Sequence, residues 1–368
     1  MLDHTTRDTA ALLLVAICAV ALLAACDGAR PPVLGVASSA IYVDAARMAI
    51  EDDAAEGGGQ VVDTVLVGEG SNRAAPAIEL AERLVATPGL IVVVGHSNSA
   101  ASLAASQIYN AHEIVQIAPQ SSAVIYSSAG PYSFRLVPPD DRQGTFLAGH
   151  LGEMLPDGGR IAVLYVNDDY GRGLRSNFLD ALDPTRFQVV LQVPHVESGV
   201  TDEVIAHDVA AVADARPDGL VWLARGTILH LHLPALREAL GNVPVLGGDA
   251  TGTGRQGPND DGRWDGVVFA DFVDLDATPE LRAFSRRYAE SFGREATGAD
   301  ALTYDAVRLA LAGVRAGART GPEMRRFLMS LGRERDPVTG ITGSISFDSV
   351  GDVDRPYVLT AVFPARTP

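Results

Sequence analysis

The sequence contains no lysine, and all 29 of its basic residues are arginines. This absence excludes Schiff-base catalysis, pyridoxal-phosphate anchoring and the lysine of a phosphate-binding loop. Positive charge is also scarce overall, because 46 acidic residues leave a formal net charge of -17. Such a chain repels polyanions rather than attracting them. The sequence therefore predicts no nucleic-acid partner and no lysine-dependent enzyme.

Cysteine is nearly absent too, with Cys18 and Cys26 as its two occurrences. Residues 9–25 are an apolar stretch as long as a long secretion signal, and they end in Leu-Ala-Ala directly before Cys26. This ending resembles the cleavage box of bacterial lipoproteins, which implies that Cys26 carries a lipid. We predict a lipoprotein signal peptide over 1–25, a linker over 26–32 and an extracytoplasmic body without an internal disulfide. A transmembrane anchor is the alternative, and it also places the body outside the cytoplasm.

The remaining chain alternates apolar runs of strand length with helical patterns. One series runs from VLGVA at residue 33 to IVQIA at residue 114, and a second from RIAVLYV at residue 160 to PVLGG at residue 244. Alternation of this kind predicts parallel sheets covered by helices. We therefore predict an α/β protein with two doubly wound parallel-sheet lobes joined by hinge strands.

The segments at 132–141 and 266–272 are predicted to cross between the lobes. Helices are predicted near 279–292, 299–315 and 322–331. The predicted division of the chain is as follows: lobe 1 over 33–136 and 270–354, and lobe 2 over 137–269 and 355–368.

A polar turn follows the apolar strand LIVVV at residues 90–94. Gly95 ends the strand, Ser97 and Ser99 are in the turn, and an alanine-rich helix begins there. Such a turn leaves backbone N–H groups and hydroxyls pointing into open space. In open α/β sheets ligands bind beyond the carboxyl ends of the strands, so this turn is a candidate binding site.

Two strand ends of the second series carry further candidates. Asp249 directly follows PVLGG, where its carboxylate would meet a cationic group of a ligand or else cap a turn. Tyr170, in DDYGRG after the strand ending at Val166, would cover a ligand with its ring or belong to an ordinary turn. Two facing lobes bring these strand ends to one cleft.

Enzymatic alternatives rest on weaker patterns. The segment from Gly95 to Ser99 is one residue from the G-x-S-x-G nucleophile elbow, with serine at the last glycine position. In hydrolases of this class the serine, the acid and the histidine follow one another in that order along the chain. No histidine follows His232, so Asp249 cannot be the acid of such a triad. A hydrolase built on Ser97 with Asp168 and His230 is the rival reading.

Cofactor and metal patterns are also weak. The G-x-G-x-x-G letters at 252–257 precede Pro258 rather than a helix, which indicates a loop. His230 and His232 are two residues apart in a predicted helix and would not face one point. We predict no cofactor and no metal.

Taken in order, several segments resemble the branched-chain amino-acid-binding family, the type I periplasmic solute receptors of ABC transporters. The resemblance covers most of the chain after the signal peptide. The segments that carry it are GHSNSAASLAASQIY (95–109), IVQIAPQSS (114–122), YSFRLVPPDDRQG (132–144), RIAVLYVNDDYGRGL (160–174), TYDAVRLA (303–310) and GITGSISFDSVGD (340–352).

The resemblance implies a ligand site in the cleft between the lobes. The serine that meets the ligand carboxylate corresponds to Ser99, and the residue that offers backbone after the proline corresponds to Gln120. A neighbouring hydroxyl residue corresponds to Ser122. The aromatic residue of the second lobe corresponds to Tyr170, and the acid that receives the ligand ammonium corresponds to Asp249.

Ser97, Ser121 and Arg225 complete the predicted site, and Ala299 bears on the size of the ligand. Ser97 and Ser121 lie beside the corresponding first-lobe residues. Arg225 stands near a position where the family often has tyrosine, and Ala299 stands near an expected aromatic residue. A guanidinium and an open space would admit a larger or more acidic side chain than that of leucine.

The sequence thus predicts a non-enzymatic receptor of an ABC importer, anchored by lipid at Cys26. Its predicted ligand is an amino acid or a similar small zwitterion or carboxylate. Its predicted partners are that small molecule, an ABC transporter permease and the membrane reached through the lipid. A hydrolase using Ser97, or a ligand-free lipoprotein that acts through protein contacts, are the alternatives.

Overall fold

The computed structural model describes residues 31–69, 73–196, 199–254 and 262–361. The predicted signal peptide, Cys26 and most of the linker lie outside the described residues, as does the second half of the G-x-G-x-x-G segment. The body that begins at Pro32 is one compact unit. Within the described ranges, no helix is both long enough and apolar enough to cross a bilayer.

The first sheet has five parallel strands in the order β2-β1-β3-β4-β5. Its central strand β3 is buried along its whole length, as expected for an unbroken apolar run with helices on both faces. The elements of this part of the chain are β1 Val33–Ser39, α1 Ala40–Glu56, β2 Asp63–Glu69, α2 Ala74–Val85, β3 Leu90–Gly95, α3 Ser99–Ala111, β4 Val115–Ala118 and β5 Ser133–Arg135.

The second sheet repeats the same winding and adds one antiparallel strand at its edge. Its order is β13-β10-β9-β8-β6-β7, and only β13 runs antiparallel to its neighbour. The elements are α4 Asp140–Met154, β6 Gly159–Val166, α5 Asp169–Ala181, β7 Phe187–His195, α6 Asp202–Ala215, β8 Gly219–Leu223, α7 Gly226–Leu240, β9 Val245–Gly247 and β10 Val267–Asp271.

The C-terminal part of the chain returns to the first sheet and then to the second. Its helices are close to the predicted ones, and its two short strands β11 and β12 pair with each other. The last strand, β13, joins the second sheet. The elements are α8 Pro279–Phe292, α9 Gly298–Arg315, α10 Gly321–Ser330, β11 Val338–Gly340, β12 Gly343–Ile345 and β13 Val358–Ala361.

Each sheet has its own apolar core. Helices α1 and α9 cover one face of the first sheet, and α2 and α3 cover the other. A separate cluster around Trp222 fills the second sheet. Two wound α/β lobes are therefore confirmed, whereas the exact residues at which the chain passes from one lobe to the other stay a prediction.

One predicted crossover is wrong. Residues 266–272 were expected to connect the lobes, but Val267–Asp271 is strand β10 of the second sheet. It pairs in parallel with β9 and antiparallel with β13, so its backbone is satisfied on both edges. Residues Val267–Asp271 therefore belong to the second sheet.

Candidate functional site

A cavity of about 150 Å³ lies where the carboxyl ends of strands from both sheets meet. Of the eight predicted ligand-binding residues, six line it. Its lining residues are Ser39, Tyr42, Ser97, Asn98, Ser99, Gln120, Tyr170, Arg225, Thr227, Asp249, Ala250 and Thr253. Groups from both lobes therefore face one space of small-molecule size.

The turn after β3 forms the first-lobe wall, and glycine makes its position possible. Gly95 has a φ of 139°, in a region where a side chain is strained. A Cβ there would lie 1.8 Å from the carbonyl oxygen of Ala37 in β1. Glycine therefore allows β3 to end against β1, which brings the following polar residues to the mouth of the sheet.

Helix α3 begins inside this wall. The Asn98 side chain accepts a hydrogen bond from Ala101 N at 3.0 Å and so caps the helix. Ser99 is buried at the first position of the helix, and its hydroxyl oxygen accepts from Ala123 N at 3.1 Å. That bond leaves the hydroxyl proton of Ser99 able to donate, beside a helix start that favours negative charge.

Ser97 is held by the neighbouring strand. Its hydroxyl oxygen accepts a hydrogen bond from the backbone N–H of Ser39 and lies 3.3 Å from Ser38 Oγ. Asp168, its predicted acid partner in a hydrolase, accepts from Gly171 N at 2.9 Å and pairs with Arg225 at 3.0 Å. His230 stacks on Trp264. The three groups that a serine hydrolase would need are thus engaged separately.

Asp249 is the second-lobe acid of the cavity. Its Oδ1 accepts from Tyr170 Oη and from Gln143 Nε2, both at 2.8 Å. The residue lines the cavity and is half-buried there. One carboxylate oxygen is therefore fixed by the protein at the wall of the cavity. Burial raises the pKa of the Asp249 carboxyl, and these hydrogen bonds partly offset that effect.

Gln143 and Asp140, both in α4, support Asp249 and were not found from the sequence. Gln143 donates from Nε2 to Asp140 Oδ1 at 3.2 Å as well as to Asp249. Its Oε1 accepts from Asp249 N at 3.0 Å. Burial and then the charge of Asp249 raise the pKa of Asp140 well above its usual value. No local pattern identified these residues, because their partner is more than a hundred positions away.

Arg225 lines the cavity at the start of α7, as predicted, and its guanidinium is not an isolated charge. The Nη2 atom donates to Asp168 Oδ2 at 3.0 Å, and 8% of the Arg225 side chain is exposed. A cation that is already paired within the protein adds no full unbalanced charge to the cavity.

Ser121 and Ser122 do not line the cavity. Both are fully buried, and the Ser121 hydroxyl donates to Ser102 Oγ at 2.7 Å. Gln120, next to them, does line the cavity. Its side-chain Nε2 is buried and has no hydrogen-bond partner among the described residues. An unsatisfied buried amide is costly, so this N–H₂ group is a further candidate for a ligand acceptor.

A larger cavity of about 730 Å³ adjoins the first and shares Gln120, Asp249 and Thr253 with it. Ala299 lines it, at the position where the sequence analysis expected open space. Asp271, at the end of β10, also lines it and was not found from the sequence. Burial raises the pKa of Asp271 to about 7, although Oδ1 accepts hydrogen bonds from Phe272 N and Val273 N.

The fold agrees with comparisons to known proteins. The profile of the periplasmic binding protein family matches residues 34–363. The chain belongs to this family. Membership implies a location outside the cytoplasm, and the family consists of binding proteins rather than enzymes.

Individual relatives support the same conclusion. The Leu/Ile/Val-binding protein homolog 1 of Brucella suis is 23% identical over 298 residues, which are 80% of this chain and 78% of the relative. The resemblance to the branched-chain amino-acid-binding group is thereby confirmed.

Solved structures share the fold. The substrate-binding protein LivJ of Streptococcus pneumoniae, in complex with isoleucine, aligns with a TM-score of 0.78 at 19% identity, over 90% of this chain and 96% of that one. A solute-binding protein of Rhodopseudomonas palustris, in complex with 3,4-dihydroxybenzoic acid, aligns with a TM-score of 0.76 at 15% identity, over 90% and 92%. The type I periplasmic-binding fold is therefore confirmed.

Proposed function

We propose that this protein binds an amino acid, or a similar small molecule with a carboxylate and an ammonium group, in the cavity between its lobes. The observation that carries the proposal is the Asp249 carboxylate, which lines a cavity whose other wall holds Ser99 and the start of α3. An ammonium group at Asp249 and a carboxylate at Ser99 would each meet complementary charge or hydrogen-bond donors.

The carboxylate end of the ligand has three kinds of donor available. The Ser99 hydroxyl keeps its proton for donation, the leading N–H groups of α3 have no partner within the helix, and the Gln120 amide is unsatisfied. A bound carboxylate would satisfy all of them. Each of these donors is more favourable toward an anion than toward a neutral oxygen.

The orientation and the raised pKa of the Asp249 carboxyl both suit a ligand with an ammonium group. Tyr170 and Gln143 hold one oxygen, so the carboxylate has a fixed direction before any ligand arrives. The raised pKa of Asp249 reports an ionised form that lacks a cationic partner in a buried place. A ligand ammonium would supply that partner and return the pKa toward its usual value.

The larger cavity extends the proposal to the ligand side chain. Ala299 leaves space there, so a side chain longer than that of leucine can leave the smaller cavity and enter the larger one. Known relatives include proteins solved with isoleucine and with an aromatic acid, so the fold accepts ligands with and without an ammonium group.

A thermal-shift screen of amino acids, amides and small carboxylates tests this proposal. A ligand at one hundred times its dissociation constant stabilises the protein by about 2.7 kcal/mol, which is readily seen as a higher melting temperature. We expect at least one amino acid to raise it. A screen in which no small molecule does so would favour the alternative of a ligand-free lipoprotein acting through protein contacts.

Two substitutions then test the assigned contacts by calorimetry with the ligand from the screen. Asp249→Asn removes one partner of a desolvated charge pair, which costs about 2–5 kcal/mol, or roughly thirty- to several-thousand-fold in affinity. Ser99→Ala removes a neutral donor to an anion, worth about 1.5–3 kcal/mol. For an amino-acid ligand, the first change should therefore weaken binding at least as much as the second.

Asp141→Asn is the matched control, because it removes an exposed carboxylate next to Asp140 and should leave affinity unchanged. An amino-acid ligand that binds Asp249→Asn within a factor of three of the original protein would refute the role of Asp249. A ligand without an ammonium group would also tolerate this change, and the chemical identity of the ligand separates the two cases.

The receptor is further proposed to serve an ABC importer and to be held at the membrane by a lipid on Cys26. The support is the Leu-Ala-Ala-Cys ending of the apolar segment and the family to which the chain belongs. Acyl chains contribute about 0.8 kcal/mol of membrane affinity for each buried methylene.

Cys26→Ala tests the anchor. We expect this variant to leave the membrane fraction or to remain unprocessed, and globomycin to block processing of the original protein. A Cys26→Ala protein that is cleaved and stays in the membrane fraction would contradict lipid anchoring. Ligand binding by the soluble form should be unchanged, because the site lies within the body of the protein.

A further inference from the structure

Three ionisable side chains meet inside the second lobe, away from the ligand cavity. His195 is the last residue of β7, Asp208 is in the middle of α6, and His232 is in the middle of α7. All three side chains are buried, with exposed fractions of 1%, 8% and 0%. Nothing in the proposed ligand binding uses them.

Their polar atoms face one another rather than ordinary hydrogen-bond partners. His195 Nδ1 lies 3.1 Å from Asp208 Oδ2, and His232 Nε2 lies 3.5 Å from the same oxygen. None of these three atoms has a hydrogen-bond partner among the described residues. Buried polar atoms are rarely left in this state, because each one costs roughly 1–3 kcal/mol.

The tautomer of His232 indicates that a cation would fit between His232 and Asp208. Its Nδ1 lies 2.9 Å from the carbonyl oxygen of Ile228, which can only accept, so Nδ1 carries the proton. In the neutral ring, Nε2 then presents a lone pair to the Asp208 carboxylate. Two acceptors facing each other in a buried place repel, and a cation between them removes the repulsion.

We propose that His195, Asp208 and His232 bind one divalent transition-metal ion, for which Zn²⁺ is the best fit. Two imidazole nitrogens and one carboxylate oxygen are ligands that Zn²⁺ prefers. With metal–ligand bonds of about 2.0–2.1 Å, the ligand atoms of a tetrahedral site are about 3.3 Å apart. The separations of 3.1 and 3.5 Å lie on either side of that value.

The surroundings support a metal ligand role for the two histidines. The bond from His232 Nδ1 to the Ile228 carbonyl is the kind of second contact that orients a metal-bound imidazole. The indole of Trp222 packs against both rings.

The cluster lies close to the surface of α6 on its Asp208 side. His207 is the residue before Asp208, its side chain is 82% exposed, and its Nδ1 lies 3.3 Å from Asp208 Oδ1. The second carboxylate oxygen of Asp208 therefore borders the surface. A water molecule, or His207 after a rotation, would complete the fourth position of a tetrahedral ion.

Zinc binding to the untagged full-length protein tests the proposal after removal of metals with a chelator. We expect one Zn²⁺ for each chain by calorimetry with the metal alone and by elemental analysis. His195→Gln and His232→Gln should each weaken this binding by at least about 100-fold, because loss of even an outer contact of a metal ligand costs about 10- to 100-fold. His230→Gln is the control, since His230 is on the same helix but stacks on Trp264.

Cobalt provides a measurement that needs no variant. Co²⁺ bound at a site of this kind should give the strong visible absorption of tetrahedral coordination, and Zn²⁺ should displace it. Zinc binding below one ion for each chain, or binding that survives both His195→Gln and His232→Gln, would overturn the proposal. So would the original protein binding neither Zn²⁺ nor Co²⁺.

Discussion

At the scale of single residues, the carboxyl groups of the interlobe region differ in how their charge is compensated. Asp249 accepts two side-chain hydrogen bonds, Asp140 receives one amide donor, and Asp271 accepts two backbone N–H groups. Burial raises the pKa of all three. A cationic group of a ligand near these carboxyls would therefore favour their ionised forms.

Asp271 gives a pH-dependent prediction. Its folded pKa is about 7 against an ordinary value of 3.8, so between these two values the folded state holds a proton that the unfolded state has lost. Its contribution to stability therefore falls as pH rises from about 4 to 7, with a slope of at most about 1.4 kcal/mol per pH unit. Asp271→Asn removes this titration and keeps the acceptor for Phe272 N and Val273 N.

Urea unfolding of the ligand-free protein at several values between pH 5 and 8 checks the prediction. The stability of Asp271→Asn should gain on that of the original protein as pH rises, and the difference should level off above about pH 7.5. Asp276→Asn, an exposed neighbour on the same segment, serves as the control and should track the original protein. Parallel curves for Asp271→Asn would show that its carboxyl titrates normally.

At the scale of secondary-structure elements, an ion pair joins β5 to the segment between β12 and β13. The Arg135 guanidinium contacts both oxygens of Asp352, at 2.6 and 2.7 Å, and is fully buried. It also donates to the carbonyl oxygens of Ser121 and Ala123. Because Ala123 N bonds to Ser99, this pair also supports the first-lobe wall of the ligand cavity.

Asp352→Ala should therefore destabilise the protein strongly. Removing one partner of a buried ion pair leaves an uncompensated charge and costs about 3–5 kcal/mol. The chain offers a matched control two residues away, where Asp354 pairs with Arg142 and both side chains are exposed. Asp354→Ala should change the free energy of unfolding by less than about 1 kcal/mol. Equal effects of the two substitutions in urea unfolding would mean that the Arg135 pair contributes no more than a surface pair.

These elements also show how far the sequence alone could lead. Strand β3 and the start of α3 were predicted because a long apolar run, a glycine and a polar cap are adjacent in sequence. Strand β10 was predicted to be a crossover, because a segment of only five residues shows too little hydrophobic periodicity to identify it as a strand of the sheet. Its identity as a strand depends on hydrogen bonds to β9 and β13, which are distant in sequence.

The residues of the candidate site likewise fall into two groups, those that the sequence could identify and those that it could not. Ser99, Tyr170 and Asp249 could be found because each follows a strand end, where the winding of the sheet places ligands. Gln143, Asp140 and the His195 cluster could not. Their contacts join helices and strands whose relative positions are set by packing, and no local pattern records which side chains then meet.

At the scale of the whole molecule, Tyr357 contacts parts of the chain that are distant in sequence. Its ring contacts Phe272, which follows β10, and its hydroxyl donates to the carbonyl oxygens of Pro138 and Pro139, which precede α4. It packs against the apolar cores of both lobes. We therefore predict that a change in the angle between the lobes is absorbed near this residue.

Ligand binding should consequently draw the lobes together. The cavity walls come from both lobes, so a ligand that contacts Ser99 and Asp249 at once stabilises the closed arrangement by the contacts that only this arrangement allows. A single compact chain of this length has a radius of gyration of about 20 Å.

The ligand-bound protein should approach that value in small-angle X-ray scattering, and the free protein should exceed it. Asp249→Asn, at a ligand concentration that saturates only the original protein, should keep the radius of the free form. A radius that stays constant while calorimetry shows full occupancy would mean that the lobes are already held together before the ligand arrives, and Tyr357 would then be a clamp rather than a hinge.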